Sequence, residues 1–304
     1  MEIQHDVPLA KFSTWRIGGR AETVYLPKTI AEAQEAIRIC LAADQKPVIL
    51  GGGSNLLISD RFSDMRRPVI RLADNFAGVT FEDDRATALA GTRLMPFCQS
   101  AMTHGLGGME FISGVPGTIG GAVVMNAGCW GDEMAAHIVS VTLLQPDGEV
   151  KEAPASELGY SYRHSALQDS GTVVLAATLQ MTRLPIPEIA ETLNRLKIER
   201  NTKQPTNQLN AGSVFRNPPG DFAARLIDQA GAKGLRCGQA QISDRHANFL
   251  VNLGGAKADE VYTLIHHVQQ HIRATTGIDL QTEVVLIGDF APVPGWTPEP
   301  AAAT

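Results

Sequence analysis

GGMEFISGVPGTIGGAVVMNAG, residues 107–128, sets the reading of this chain, because seven glycines punctuate an apolar run with almost no charge. Glycine loses more backbone freedom on folding than any other residue, at roughly 0.5 to 1 kcal/mol against alanine in a regular element. Such density therefore implies a backbone that turns tightly and lets something large come close. A ligand with a pyrophosphate fits, since amides without Cβ neighbours can converge on anionic oxygens as a nest or at the start of a helix. A second cluster, Gly51, Gly52 and Gly53, follows the short β-rich run 48–50 and leads into Ser54 and Asn55. Neither cluster is a G-x-G-x-x-G opening a helix, and neither closes on Lys-Ser/Thr, which disfavours a Rossmann dehydrogenase and a P-loop ATPase. Tight turns in an α/β core are the plain alternative.

At 304 residues the chain has room for about two domains and a substantial core. With 44% hydrophobic and 19% charged residues it reads as globular, not disordered. A net charge of -6 argues against a nucleic-acid binder, which needs clustered Lys and Arg. Arg66-Arg67 is the only tight basic pair and reads as a solvated loop. Cys40, Cys98, Cys129 and Cys237 are isolated, without a C-x-x-C pair, so a reducing compartment and no structural zinc are expected. His266, His267 and His271 share one helix but lack evident partners, and no metal is expected. The start of the chain carries no basic region followed by an apolar one, and no apolar run reaches about 18 residues, so a cytoplasmic, untethered protein is expected.

The spacing predicts a helix over 29–44, with Thr29 and Glu32 as a capping box and Ala33, Ile37, Cys40 and Leu41 on one face. Short strands are expected between 69 and 89, a helix over 93–104, and strands over 138–144 and 172–182. Pro187 opens a helix running to about 200, after a linker at 184–187. A helix over 259–276 buries Val261, Leu264, Ile265, Val268 and Ile272 and stops at Gly277. Because the β-rich first part departs from a regular βαβ alternation, the class is α+β. Trp15 anchors the N-terminal segment, Tyr160 and Tyr162 are packing residues, and the Pro/Ala-rich segment 291–304 is disordered.

Three further sequences carry candidate chemistry. In YSYRHS, 160–165, Arg163 reads either as a surface ion pair or as a group that pairs with a carboxylate or steadies a developing anion. In NAGSVFRNPP, 210–219, Gly212 lets Ser213 approach a ligand; with no G-x-S-x-G elbow, Ser213 is a proton donor or a plain turn residue. In LQTEVVLIG, Glu283 interrupts a β-branched run, which calls for a partner or a function, or marks an edge charge that blocks aggregation.

GGGSNLL, the 107–128 stretch, YSYRHS, AGSVFRNP, AGAKG, SDRHANFLVN and LQTEV, in this order, resemble the UDP-N-acetylenolpyruvoylglucosamine reductases of bacterial peptidoglycan synthesis. The resemblance runs from Thr14 to Phe290. It implies a vanillyl-alcohol-oxidase/PCMH-type FAD-binding fold of two α+β subdomains, 1–75 (joined by a C-terminal strand, 279–290) and 76–186, plus an α+β substrate-binding domain, 187–278. It implies non-covalent FAD held by Gly51, Gly52, Gly53, Ser54, Asn55, Gly114, Gly117, Thr118, Gly120 and Gly121. It further implies NADPH as reductant and UDP-N-acetylglucosamine enolpyruvate as substrate. By the same resemblance, hydride would pass from flavin N5 to the enolpyruvyl methylene, Arg163 and a protonated Glu283 would stabilise the enolate, and Ser213 would supply the proton. Lys203, Asn217 and Asn248 match substrate-facing positions, Lys203 having a solvated helix-end charge as its alternative. The chain departs from many relatives in reading LNAGS before the serine but keeps Gly212 and Ser213; it lacks the tyrosine-bearing insertion of a longer subclass, so a more open site is expected, and a monomer is expected as well. An oxidase on the same fold commonly tethers flavin through a His or Cys in the first glycine region, and none stands between 50 and 60. A non-catalytic flavin or UDP-sugar binder would have lost one of the three reacting residues.

Overall fold

The helix expected over 29–44 forms as Ile30–Ala42 in the computed structural model, which describes residues 1–298. Thr29 Oγ1 accepts from the Glu32 N–H at 3.2 Å, satisfying one of the orphan donors of the first turn. The Glu32 carboxylate does not return to Thr29. It takes the N-terminal ammonium at 2.7 Å and the Lys28 N–H at 2.7 Å, and these hold its carboxyl below the usual range. Ala33, Ala36, Ile37 and Cys40 are buried, whereas Leu41, expected on the same face, is exposed.

Two units divide the chain. The first comprises Met1–His5, Glu22–Gly52 and Arg67–Glu199. Its first sheet is built from residues 2–5 of the strand Glu2–Pro8, residues 22–26 of Arg20–Leu26, then Val69–Arg71 and Val48–Leu50, with the last three strands parallel. Its second sheet is antiparallel, in the order Val150–Pro154, Ile138–Leu144, Val173–Gln180, Arg85–Leu89, Val79–Glu82. Both sheets share one apolar core with the helices Ile30–Ala42, Leu94–Thr103 and Ile119–Met125, around Phe76, Phe97, Ile112 and Leu175. Arg67, read as a solvated loop residue, instead ties down a turn by donating to the Lys46 and Pro47 carbonyls.

The second unit comprises Asp6–Ala21, Gly53–Arg66 and the chain from Arg200 onward. A sheet ordered Leu209–Ser213, Phe249–Asn252, Ala240–Ile242, Arg236–Cys237 packs with the helix Ala258–Thr276, whose expected stripe is buried and which ends on Gly277 at φ +74°. Trp15 is fully buried and donates its indole N–H to Leu250 O at 2.8 Å. These units are cut differently from the three-domain division read from sequence, since the glycine loop 51–53 is itself split.

The C-terminal strand expected over 279–290 is short: only Val285–Ile287 forms it, pairing in parallel with Leu56–Ile58. Residues 291–298, expected to be disordered, pack on the second unit. Ala291 N–H donates to Asp259, Val293 N–H to Thr263 Oγ1 and the Trp296 indole to Arg236 O at 3.0 Å, so polar backbone and an aromatic ring find partners that composition alone does not reveal. The rest of that expected tail, 299–304, lies outside the described residues. No helix among the described residues is long and apolar enough to cross a membrane.

Burial pushes the Cys40 thiol to about 11 and the Cys98 thiol to about 12, and thiols held neutral and covered do not react. Iodoacetamide at pH 8 should therefore spare Cys40 and Cys98 in the native protein and label both after denaturation. Peptide mass mapping that found them modified without denaturant would contradict this packing.

Candidate functional site

The strand Val48–Leu50 delivers Gly51 and Gly52 against Gly117 and Thr118 within the first unit. A Cβ on Gly51 would lie 2.7 Å from Thr118 Oγ1, and one on Gly52 would lie 3.0 Å from Gly117 Cα. Both glycine clusters thus meet, backbone to backbone, where no side chain fits. The Thr118 hydroxyl at this contact, and that of Ser113 one residue before Gly114, are buried without a protein partner. The helix Ile119–Met125 contributes less than expected, because the Ile119 and Gly120 N–H groups are taken by Thr92 O and Ala90 O. Gly120 is required by packing, as its Cβ would meet Ala90 at 2.8 Å, whereas Gly121 is exposed. Gly114 turns the chain at φ +75°. Gly53, at φ +65° and seated on the Phe12 carbonyl, and Ser54 belong to the second unit.

Arg163, also in the first unit, stands in a four-residue turn closed by mutual backbone hydrogen bonds between Ser161 and His164. Its φ of +55° lies in the left-handed region, which costs a residue with a Cβ roughly 1 to 2 kcal/mol. Asn126 Nδ2 donates to Ser161 O, Ser165 Oγ to Val124 O and Gln168 Nε2 to Arg163 O, and these bonds hold the strained turn. The guanidinium donates to Gly128 O at 2.7 Å and lies 5.0 Å from the centroid of the Tyr162 ring. Tyr162 is 48% exposed, so its role is to face that cation and not to pack; Tyr160 does pack against the core. Strain at a polar residue marks a functional site better than composition does. Asn126 and Gly128 escaped the sequence reading because their partners lie 35 residues away.

Ser213 and Glu283 belong to the second unit. Ser213 ends the strand Leu209–Ser213, which is irregular around Gly212 at φ +77°. Phe215 bridges Thr282, the Arg216 N–H donates to Gln281 O, and the Glu283 N–H donates to Val214 O at 2.7 Å. The main chain of Glu283 is therefore fixed beside the residue that follows Ser213. Both side chains are half-buried. Asn55, expected at the cofactor, directs its amide to Glu283 O at 3.0 Å.

Asn248, expected to face substrate, is 3% exposed and clamps Phe215, accepting from its N–H at 2.9 Å and donating to its carbonyl at 2.8 Å. An amide spent on both backbone groups of a neighbouring chain is a structural bridge. Asn217 is exposed, and its side-chain oxygen accepts from the Ala223 N–H at the start of the helix Ala223–Gln229. Lys203 is exposed at the end of the helix Ile186–Lys203.

Residues 204–287 match the family described as UDP-N-acetylenolpyruvoylglucosamine reductase, C-terminal domain. The reductase of that name from Lactobacillus delbrueckii subsp. bulgaricus is 39% identical over 290 residues, covering 95% of this chain and 96% of its own. The chain belongs to the UDP-N-acetylenolpyruvoylglucosamine reductase family. The reductase from Listeria monocytogenes is 38% identical over 94% of this chain and 95% of its own. The crystal structure of the reductase from Thermus caldophilus superposes with a TM-score of 0.79 at 35% identity, covering 95% of this chain and all of that one. Residues 21–154 match the family described as FAD binding domain, and the chain is a flavoprotein oxidoreductase of α+β, PCMH-type fold.

The first unit fits that cofactor. The buried hydroxyls of Thr118 and Ser113, left without a protein partner, suit a ligand that brings phosphate or other acceptor oxygens to them. Thr118→Val should leave the melting temperature of flavin-free protein unchanged or raised, since it removes a buried unpaired hydroxyl, while weakening FAD binding by about 5- to 10-fold, the worth of one hydrogen bond. Unchanged FAD affinity by fluorescence titration would show that this hydroxyl does not serve the cofactor.

Proposed function

We propose that the chain reduces the enolpyruvyl ether of UDP-N-acetylglucosamine enolpyruvate to UDP-N-acetylmuramate at the expense of NADPH, as a cytoplasmic step of peptidoglycan synthesis. The observation that carries this reading is the pairing that fixes the Glu283 main chain beside Val214, one residue from Ser213. In a family of reductases named for this substrate, a hydroxyl and a carboxyl so held supply a proton and a hydrogen bond to one small group.

Bound FAD supplies the hydride, taken from NADPH and delivered to the terminal methylene carbon of the enol ether. Gly51, Gly52, Gly53, Gly114, Gly117 and Thr118 are the residues assigned to hold it. As the carbon–carbon double bond is consumed, negative charge gathers on the carbon bearing the ether oxygen and on its carboxylate. Arg163 meets that charge with a guanidinium already oriented by Gly128 O, so little reorganisation is needed when the charge appears. Glu283, as the carboxylic acid, donates a hydrogen bond to the same enolate-like state. Ser213 then gives its hydroxyl proton to the carbanionic carbon; a hydroxyl is a weak acid, but this carbon is a strong base, so a positioned serine suffices. Lys203, exposed at a helix end, is assigned to the anionic groups of the nucleotide sugar.

The test follows flavin absorbance without oxygen. NADPH should bleach the bound flavin in wild type and in Ser213→Ala alike, and UDP-N-acetylglucosamine enolpyruvate should restore the colour of wild type only. Reoxidation of the variant should be at least about 100-fold slower, the loss expected on removing a general acid. Reoxidation at the wild-type rate would exclude Ser213 as the proton donor, and a wild-type flavin that this substrate cannot reoxidise would refute the function.

A further inference from the structure

Both main-chain polar groups of Glu283 are engaged, and from different elements. Its N–H donates to Val214 O at 2.7 Å. Its carbonyl accepts from Asn55 Nδ2 at 3.0 Å, across 228 residues of sequence. Asn55 also accepts, through its own carbonyl, the N–H of Val285 at 3.0 Å. The backbone ladder between the parallel strands Leu56–Ile58 and Val285–Ile287 thus runs out at Asn55, and the Asn55 side chain adds one further rung that reaches Glu283. An amide is the side chain for this place. It donates to a carbonyl, whereas aspartate would set a carboxylate against that oxygen and alanine would leave the carbonyl unpaired.

We propose that Asn55 is a positioning residue for Glu283: its side-chain amide fixes the Glu283–Val284 peptide and thereby the direction in which the Glu283 carboxyl is presented to the substrate. The proposal rests on the role given to Glu283 above. It moves the side chain of Asn55 from cofactor holding to the second half of the reaction, and it ties Asn55 to the acid that follows 228 residues later, within the second unit.

Holoenzymes carrying Asn55→Ala, Asn55→Asp, Glu283→Gln and the double change Asn55→Ala with Glu283→Gln test it, with the two half-reactions timed separately by stopped-flow absorbance. Asn55→Ala should slow flavin reoxidation by UDP-N-acetylglucosamine enolpyruvate by about 10- to 100-fold, as expected for a misplaced reacting group, and Asn55→Asp by at least as much. Bleaching by NADPH, the flavin spectrum and FAD affinity should stay within about 2-fold of wild type, because cofactor contacts are untouched. On the Glu283→Gln background, loss of the Asn55 amide should cost far less than it does alone, since the carboxyl it aims is gone.

Three results would overturn the assignment. Weakened FAD affinity with both half-reactions slowed together would make Asn55 a cofactor contact. Equal costs of Asn55→Ala with and without Glu283 would show that it acts through something else. A Glu283→Gln enzyme reoxidised at the wild-type rate would remove the role of Glu283 itself, and the positioning role of Asn55 would fall with it.

Discussion

Where Gly52 meets Gly117, main chain lies so close to main chain that a single methyl group would need to occupy a spot 3.0 Å from a neighbouring Cα. That constraint explains the composition of two segments 65 residues apart. The strand Val48–Leu50 must end in residues without side chains, and the approach to the helix Ile119–Met125 must do the same, with Gly117 at φ +144° and Thr118 turned inward. The entropy that glycine costs on folding is offset here by a main-chain contact that no other residue type allows. Around it, ordinary apolar packing holds two sheets and three helices in place, so the contact has a rigid scaffold.

The second unit uses a different device. The main chain that carries Ser213 and Glu283, the residues proposed to react, is held by hydrogen bonds and not by glycine contacts. Asn248 clamps Phe215, Val214 takes the Glu283 N–H, and Asn55 takes the Glu283 carbonyl. Ser213 and Glu283 hang from consecutive links of that chain. The buried Asn248 amide is satisfied at both its oxygen and its nitrogen, which is how a polar network becomes rigid without destabilising the core.

Local signals made much of this legible in advance. Thr29 and Glu32 announced a helix start, the stripe from Val261 to Ile272 announced a buried helix face, and glycine density announced a close approach of main chain. What escaped depends on partners remote in sequence. Nothing near Arg163 signals a left-handed turn, because Asn126, whose amide takes Ser161 O, comes from another segment. Asn248 and Asn217 read as candidate ligand groups because an amide's partner cannot be inferred from its neighbours, and both turned out to serve backbone. The run from Leu280 to Gly288 looks like one strand, yet its first half pairs irregularly beside Val214 and only Val285–Ile287 forms the parallel ladder. Trp296 likewise binds Arg236 O in a segment whose composition suggests disorder.

The most direct measurement is a crystal structure of the holoenzyme with UDP-N-acetylglucosamine enolpyruvate bound under conditions that prevent turnover. The Ser213 hydroxyl and the Glu283 carboxyl should each lie within about 3.5 Å of the enolpyruvyl group, the reach of a hydrogen bond, with the Asn55 amide still on Glu283 O. An enolpyruvyl group that meets neither side chain, or a Glu283 carboxyl turned to another partner while substrate is bound, would contradict the assignment of the reaction to these residues.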